Sequence, residues 1–125
     1  MVKTAVSYKN LEIWQLAVRM VIVIHEMTIN DLPDFEKYET GSQIRRSSKS
    51  VKSNIVEGYG RRSYKKEYLH FLLIAQGSLD ETMDHLETLY STKSLKDERK
   101  YIEMREIADK LGRKLNLFIS AIRKR

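Results

Sequence analysis

Two segments of this chain repeat their apolar residues at alternating steps of four and three, a period that admits helices packed along their length and little else. Tyr68, Leu72, Ala75, Leu79, Thr82, Leu86 and Leu89 step 4-3-4-3-4-3, and Tyr101, Met104, Ala108, Leu111, Leu115, Phe118 and Ile122 step 3-4-3-4-3-4. Such spacing holds one apolar stripe against a neighbouring helix over many turns. Ile107, Leu117 and Ile119 broaden the second stripe. A third segment shows the same rhythm in smaller residues: Gly41, Ile44, Ser48, Val51, Ile55 and Gly58. A face of Gly and Ser lets a partner helix approach closely. Upstream, Ile13, Ala17, Met20, Ile24 and Met27 form one stripe, and Leu11, Trp14, Val18, Val21 and His25 a second beside it. Two stripes exceed what one side of a bundle core needs, so the surplus at Met20 to Ile24 is expected at a subunit contact.

The punctuation fits four helices. Asn10 is the expected N-cap of the first, which runs from Leu11 to about Thr28 and breaks at Asn30–Pro33. Asp34 to Thr40 reads either as a loop or as early turns of the second helix, for which Gly58 is the expected stop. Ser63 is the expected cap of the third helix, and Ser94-x-x-Asp97 opens the fourth as a variant capping box. Gly77 lies within the third helix, where it costs about 1 kcal/mol against Ala, and a tight helix crossing is the expected reason. No strand pattern competes. The expectation is a single domain over residues 1–125, all-α, folded as an antiparallel up-down four-helix bundle.

Composition narrows the function classes. With no cysteine there is no disulfide and no thiolate zinc site. The N-terminal ten residues carry no apolar core of signal-peptide length, and the longest apolar run is far too short to span a bilayer. No membrane association and a cytoplasmic location are therefore expected. One E-x-x-H pair occurs, Glu67 and His70, without the second copy a di-metal bundle requires. Gly58-Tyr59-Gly60 lacks the strand and third glycine of a phosphate-binding loop. The expectation is no enzyme, no catalytic residue, no metal and no cofactor.

Charge is the informative property. The net charge is +6, yet from Gln43 to Lys66 eight basic residues face one acid. The stretch from Lys110 adds six more basic residues, while Asp80, Glu81, Asp84 and Glu87 form an acidic patch. A basic surface of this kind suits a polyanion. The candidate nucleic-acid-binding set is Arg45, Lys49 and Lys52, on one helical stripe, with Arg61, Arg62, Lys65 and Lys66 after the turn. Tyr59 and Tyr64 are interleaved and suited to stacking on unpaired bases. The competing expectation has Arg46 and Arg61 pairing with Glu57 and neighbouring acids, and the two tyrosines covering the bundle end. Arg46, Asn54 and Glu57 are then a structural polar network, tying the end of the second helix to the following loop. On that alternative the protein is an oligomeric protein–protein scaffold or accessory subunit, with Arg45 and Arg46 buried at helix or subunit contacts.

Leu11-Glu12-Ile13-Trp14 with Ala17, Gln43-Ile44-Arg45-Arg46, Ser50-Val51, Ser53-Asn54-Ile55-Val56-Glu57-Gly58 and Gly77-Ser78-Leu79 resemble, in this order, the 23S rRNA intervening-sequence proteins, also called S23 proteins. The resemblance spans about Lys9 to Ile122. It implies an up-down four-helix bundle assembling as a homopentamer, some members being encoded within insertions in large-subunit ribosomal RNA genes. Related accessory proteins of diversity-generating retroelements imply RNA or RNA–DNA and a reverse transcriptase as partners. Thr40, Ser47, Lys52, Val56 and Gln76 depart from the family's usual residues.

Overall fold

A computed structural model describes residues 7–125. The expectation drawn from the N-terminal ten residues falls in part on Met1–Val6, which lie outside the described residues. A 3₁₀ turn, Tyr8–Asn10, leads into α1, Glu12–Asn30, and then a one-turn helix α2, Asp34–Lys37. Three long helices complete the chain: α3, Thr40–Gly60; α4, Lys65–Ser91; and α5, Glu98–Arg123. The described residues contain no strand. The four long helices form a closed square in which α1 packs on α3, α3 on α4, α4 on α5 and α5 back on α1. Each runs antiparallel to its neighbours: Lys114 reaches Glu12 (3.3 Å) at one end of α1, and Lys100 reaches Asp31 (2.7 Å) at the other. The up-down bundle is as expected.

The core follows the heptads. Leu72, Ala75, Leu79, Leu86 and Leu89 of α4 meet Met104, Ala108, Leu111, Leu115 and Ile122 of α5, all buried. Gly41, Ile44, Ser48, Val51, Ile55 and Gly58 of α3 are buried without exception. Leu117 instead points to solvent, 68% exposed, and does not broaden the apolar face. In α1 the inner stripe belongs wholly to this core. Met20 and Ile24 are fully buried, so of the surplus expected from Met20 to Ile24 only Ile22, with half-buried Val21 and Val23, stays at the surface. Ile22 and Ile29 are the exposed apolar residues of α1.

Local signals predicted the helix ends less well. Asn10 lies inside the 3₁₀ turn, which Ser7 caps through the Lys9 amide, and α1 begins at Glu12 behind Leu11. Asp34–Lys37 closes into its own turn because Pro33 supplies an extended entry, φ −63° and ψ 154°, and cannot continue α1. Gly58 does not stop α3, which continues to Gly60 with no glycine in the left-handed region. Its role is proximity: a Cβ there would sit 3.2 Å from Tyr68 Cδ1 and 3.3 Å from Phe71 Cβ. Ser63 does not cap α4; Tyr64 precedes the first turn and makes no side-chain cap bond. The α5 cap is Asp97, whose carboxylate accepts from the Lys100 amide (3.2 Å), not Ser94. Ser94 donates to the buried Glu36 carboxylate (2.7 Å), which also accepts from the Thr40 amide (3.1 Å). That carboxylate joins α2, the start of α3 and the α4–α5 link. Gly77 faces open space, with nothing within 4 Å of where a Cβ would stand, so no helix crossing within the chain explains it.

Candidate nucleic-acid interface

Antiparallel order brings together basic residues that are far apart in sequence. The turn after α3, the start of α4 and the end of α5 meet at one end of the bundle. Lys65 Nζ donates to the Arg123 carbonyl (2.9 Å), and Arg125 donates to the Arg62 carbonyl (3.0 Å). The half of the bundle formed by residues 7–20, 51–78 and 110–125 carries thirteen basic side chains against three acids, Glu12, Glu57 and Glu67. The other half carries nine against fourteen. The molecule is therefore polarised along its long axis, with a basic and an acidic pole. At the basic pole the carbonyl ends of α3 and α5 stand beside the amide ends of α1 and α4, so the helix dipoles largely cancel and the side chains set the charge.

The seven candidate binding residues divide between the poles. Arg45 lies on the acidic half and is half-buried; its guanidinium donates to the Lys37 carbonyl (2.9 Å) and fastens α2 to α3. Its other terminal nitrogen is buried with no partner. Lys49 and Arg46 are exposed on the outer face of α3, also on the acidic half, and form no ion pair among the described residues. Lys52 is half-buried, beside Tyr8, Trp14 and Val56. Arg45, Lys49 and Lys52 thus share a helical stripe but no common site with the residues after the turn.

Arg61, Arg62, Lys65 and Lys66 do sit together, in different states. Arg61 bonds Glu57 (2.6 Å) and Glu67 (3.3 Å) and lies 4.7 Å over the Phe71 ring, so its charge is taken up by architecture. Arg62 stacks 4.2 Å over Tyr59 and donates to that residue's carbonyl (3.0 Å). Lys66 has no ion-pair partner among the described residues. Tyr59 is only 8% exposed beneath Arg62 and cannot receive a base, whereas Tyr64, in the same turn, is 66% exposed. Burial, and then neighbouring Tyr59, push the Tyr68 hydroxyl up to about 12 despite Arg125 and Arg62 nearby, so it stays neutral at this pole.

The structural polar network is half as expected. Glu57 does tie the end of α3 to the turn after it, through Arg61 and on to Glu67 of α4. Asn54 turns the other way, donating to the Ser50 carbonyl (2.8 Å) and hydroxyl (3.1 Å), and Ser50 meets Ser78 of α4 (2.8 Å). Arg46 joins neither.

Sequence reasoning missed Arg123, Lys124 and Arg125 as members of the same patch as the α3–α4 turn. The signal was available: in an up-down bundle the second turn and the fourth helix's last turn lie at the same end. A window of consecutive residues hides this, because Gln43 to Lys66 traverses both poles. Among the described residues no group of three or more His or acidic side chains is placed to hold a metal. A concavity between α1 and α5, beside Met27, Asp31 and Lys100, holds about 130 Å³, and a wider, more open hollow along Asp97 to Glu106 holds about 550 Å³. No helix among the described residues is long and apolar enough to cross a membrane.

Residues 9–117 match the family model of the 23S rRNA-intervening sequence proteins. A solved structure from Bacteroides thetaiotaomicron, a protein with unknown function from the S23 ribosomal protein family, is similar with a TM-score of 0.75. The two share 21% sequence identity over 86% of this chain and 95% of that one, which shows the fold. No curated protein matches the chain.

Proposed function

Because the chain belongs to the 23S rRNA-intervening sequence protein family, we propose that it is a non-enzymatic, homo-oligomeric cytoplasmic protein that binds structured RNA through its basic pole. One observation carries this. The turn of Arg62, Lys65 and Lys66 and the end of α5 gather cations from two distant segments, and Glu57 and Glu67, the acids on α3 and α4 there, are both engaged by Arg61. The remaining positive charge is uncompensated and faces solvent, as contacts to a phosphate backbone require. The ribosomal RNA context in the family's name supports RNA as the polyanion.

The test is fluorescence anisotropy with a labelled ribosomal RNA hairpin across a salt series. The expected result is binding that weakens linearly in log–log form with salt and is lost when Arg62, Lys66 and Lys124 are all replaced by Glu. Absence of salt-sensitive binding at low ionic strength, or binding that survives the triple reversal, overturns the proposal.

A further inference from the structure

Tyr64 stands at the basic pole with its ring uncovered. It is 66% exposed, and among the described residues it pairs with no other ring and no cation. Tyr59, at the end of α3, is instead covered by Arg62. The backbone of Tyr64 is nevertheless fixed. Its amide donates to the Arg61 carbonyl (2.8 Å) and its carbonyl accepts from the Tyr68 amide (2.9 Å), so the ring is carried on a closed turn. Little backbone ordering is left to oppose a ligand that uses it.

The cations around this ring are positioned in the same way. Arg62 donates to the Tyr59 carbonyl (3.0 Å), Arg125 to the Arg62 carbonyl (3.0 Å) and Lys65 to the Arg123 carbonyl (2.9 Å). A peptide carbonyl holds a cation in place without cancelling its charge. Gly60, the last residue of α3, is a second unexplained feature. It is exposed, no glycine among the described residues has a positive φ, and nothing lies within 4 Å of where its Cβ would stand. Neither the backbone nor packing within the chain calls for a glycine there, although glycine is a poor helix former. The missing side chain leaves the backbone open to close approach from outside.

We infer that the basic pole takes an unpaired nucleotide of its RNA. The base stacks on Tyr64, the phosphates on either side lie among Arg62, Lys65, Lys66 and Arg125, and the sugar passes over Gly60. This rests on the reading of the basic pole as an RNA site and adds the class of RNA, a loop, bulge or single strand. A fully paired A-form helix keeps its bases stacked on one another and closes its major groove to side chains, so it offers Tyr64 no free base face. Every base has such a face once unpaired, and stacking one on an aromatic side chain is worth about tenfold or more in affinity with little regard to sequence.

Anisotropy titrations test this with two RNAs, a ribosomal RNA hairpin with an open loop and a fully paired duplex carrying as many phosphates. The hairpin is expected to bind about tenfold tighter or more. Tyr64→Ala is expected to remove that advantage while leaving duplex affinity and the salt dependence unchanged, and Tyr64→Phe to keep it. Gly60→Gln, whose Cβ meets nothing in the chain, is expected to fold as wild type by circular dichroism and to weaken binding of the hairpin alone. A fluorescent adenine analogue in the loop is expected to be quenched by wild type and by Tyr64→Phe but not by Tyr64→Ala. Equal affinity for hairpin and duplex, or hairpin binding indifferent to Tyr64→Ala, overturns this inference and leaves the RNA reading standing. Salt-sensitive binding to neither RNA overturns both.

Discussion

At the scale of single residues, glycines at helical positions serve opposite ends. A Cβ on Gly41 would stand 2.7 Å from the Glu36 carbonyl oxygen, an atom held in the backbone of α2. Gly41→Ala is expected to cost about 2 kcal/mol or more, since the neighbour cannot rotate away. Gly77→Ala meets nothing and is expected to raise the folding stability of the separated chain by up to about 1 kcal/mol. Urea unfolding of the two variants at low protein concentration checks both; equal effects would refute the distinction. Glu36 couples this corner to pH. Burial pushes its carboxyl up, but hydrogen bonds from Ser94 and Thr40 outweigh that and hold it below its ordinary value. Its folded pKa is thus depressed, so the stability it adds is present above the unfolded value of about 4.5 and is lost as pH falls through the folded value. Glu36→Gln is expected to lower stability by about 1–2 kcal/mol near neutral pH, and the gap to wild type closes as the carboxyl protonates. Unfolding curves at neutral and acidic pH that show the same gap would contradict this.

At the scale of elements, the α3–α4 seam is the most closely built pairing. Ser47 and Thr82 share a buried hydrogen bond (2.8 Å), and Thr82 also donates to the Ser78 carbonyl (2.8 Å). Ser50 and Ser78 repeat the arrangement one turn along (2.8 Å). The serines of α3 were legible as a narrow face, but their partners were not. A 4-3 period says which side of a helix is buried without saying which hydroxyls it meets. A double-mutant cycle of Ser47→Ala and Thr82→Val is expected to give a coupling of about 1 kcal/mol, with the double variant close to either single one. Additive losses would mean that the hydroxyls act separately. The same limit explains the helix caps. Asn10, Ser63 and Ser94 are all chemically fit to cap, yet where each helix begins was decided by how the 3₁₀ turn, the Arg61–Tyr64 turn and the Glu36 carboxylate pack.

At the scale of the molecule, charge is arranged by topology. Each cation that touches phosphate adds about one to the slope of log affinity against log salt. Replacing Lys66 and Lys124 by Gln is expected to flatten that slope by about two, and by the same amount for RNAs of unrelated sequence. Anisotropy titrations at several salt concentrations measure it. An unchanged slope would show that these cations do not touch phosphate. Replacing Arg46 and Lys49 instead is expected to leave the slope per chain unchanged, because they stand on the acidic half of the bundle, in the N-terminal half of α3.

Read alone, the sequence determined the class of fold, the number of long helices and most of the core. Periodicity is a local property, and burying one stripe per helix leaves an up-down bundle as the simple solution. It also determined that cations would dominate some surface. Only the tertiary structure decided which cations share that surface. Arg45 and Lys66 sit in one basic run of sequence yet lie on opposite halves of the bundle, whereas Lys65 and Arg123, far apart in the chain, are hydrogen-bonded. Electrostatic potential depends on distance in space, and each reversal of chain direction in the bundle exchanges neighbours in sequence for neighbours across helices.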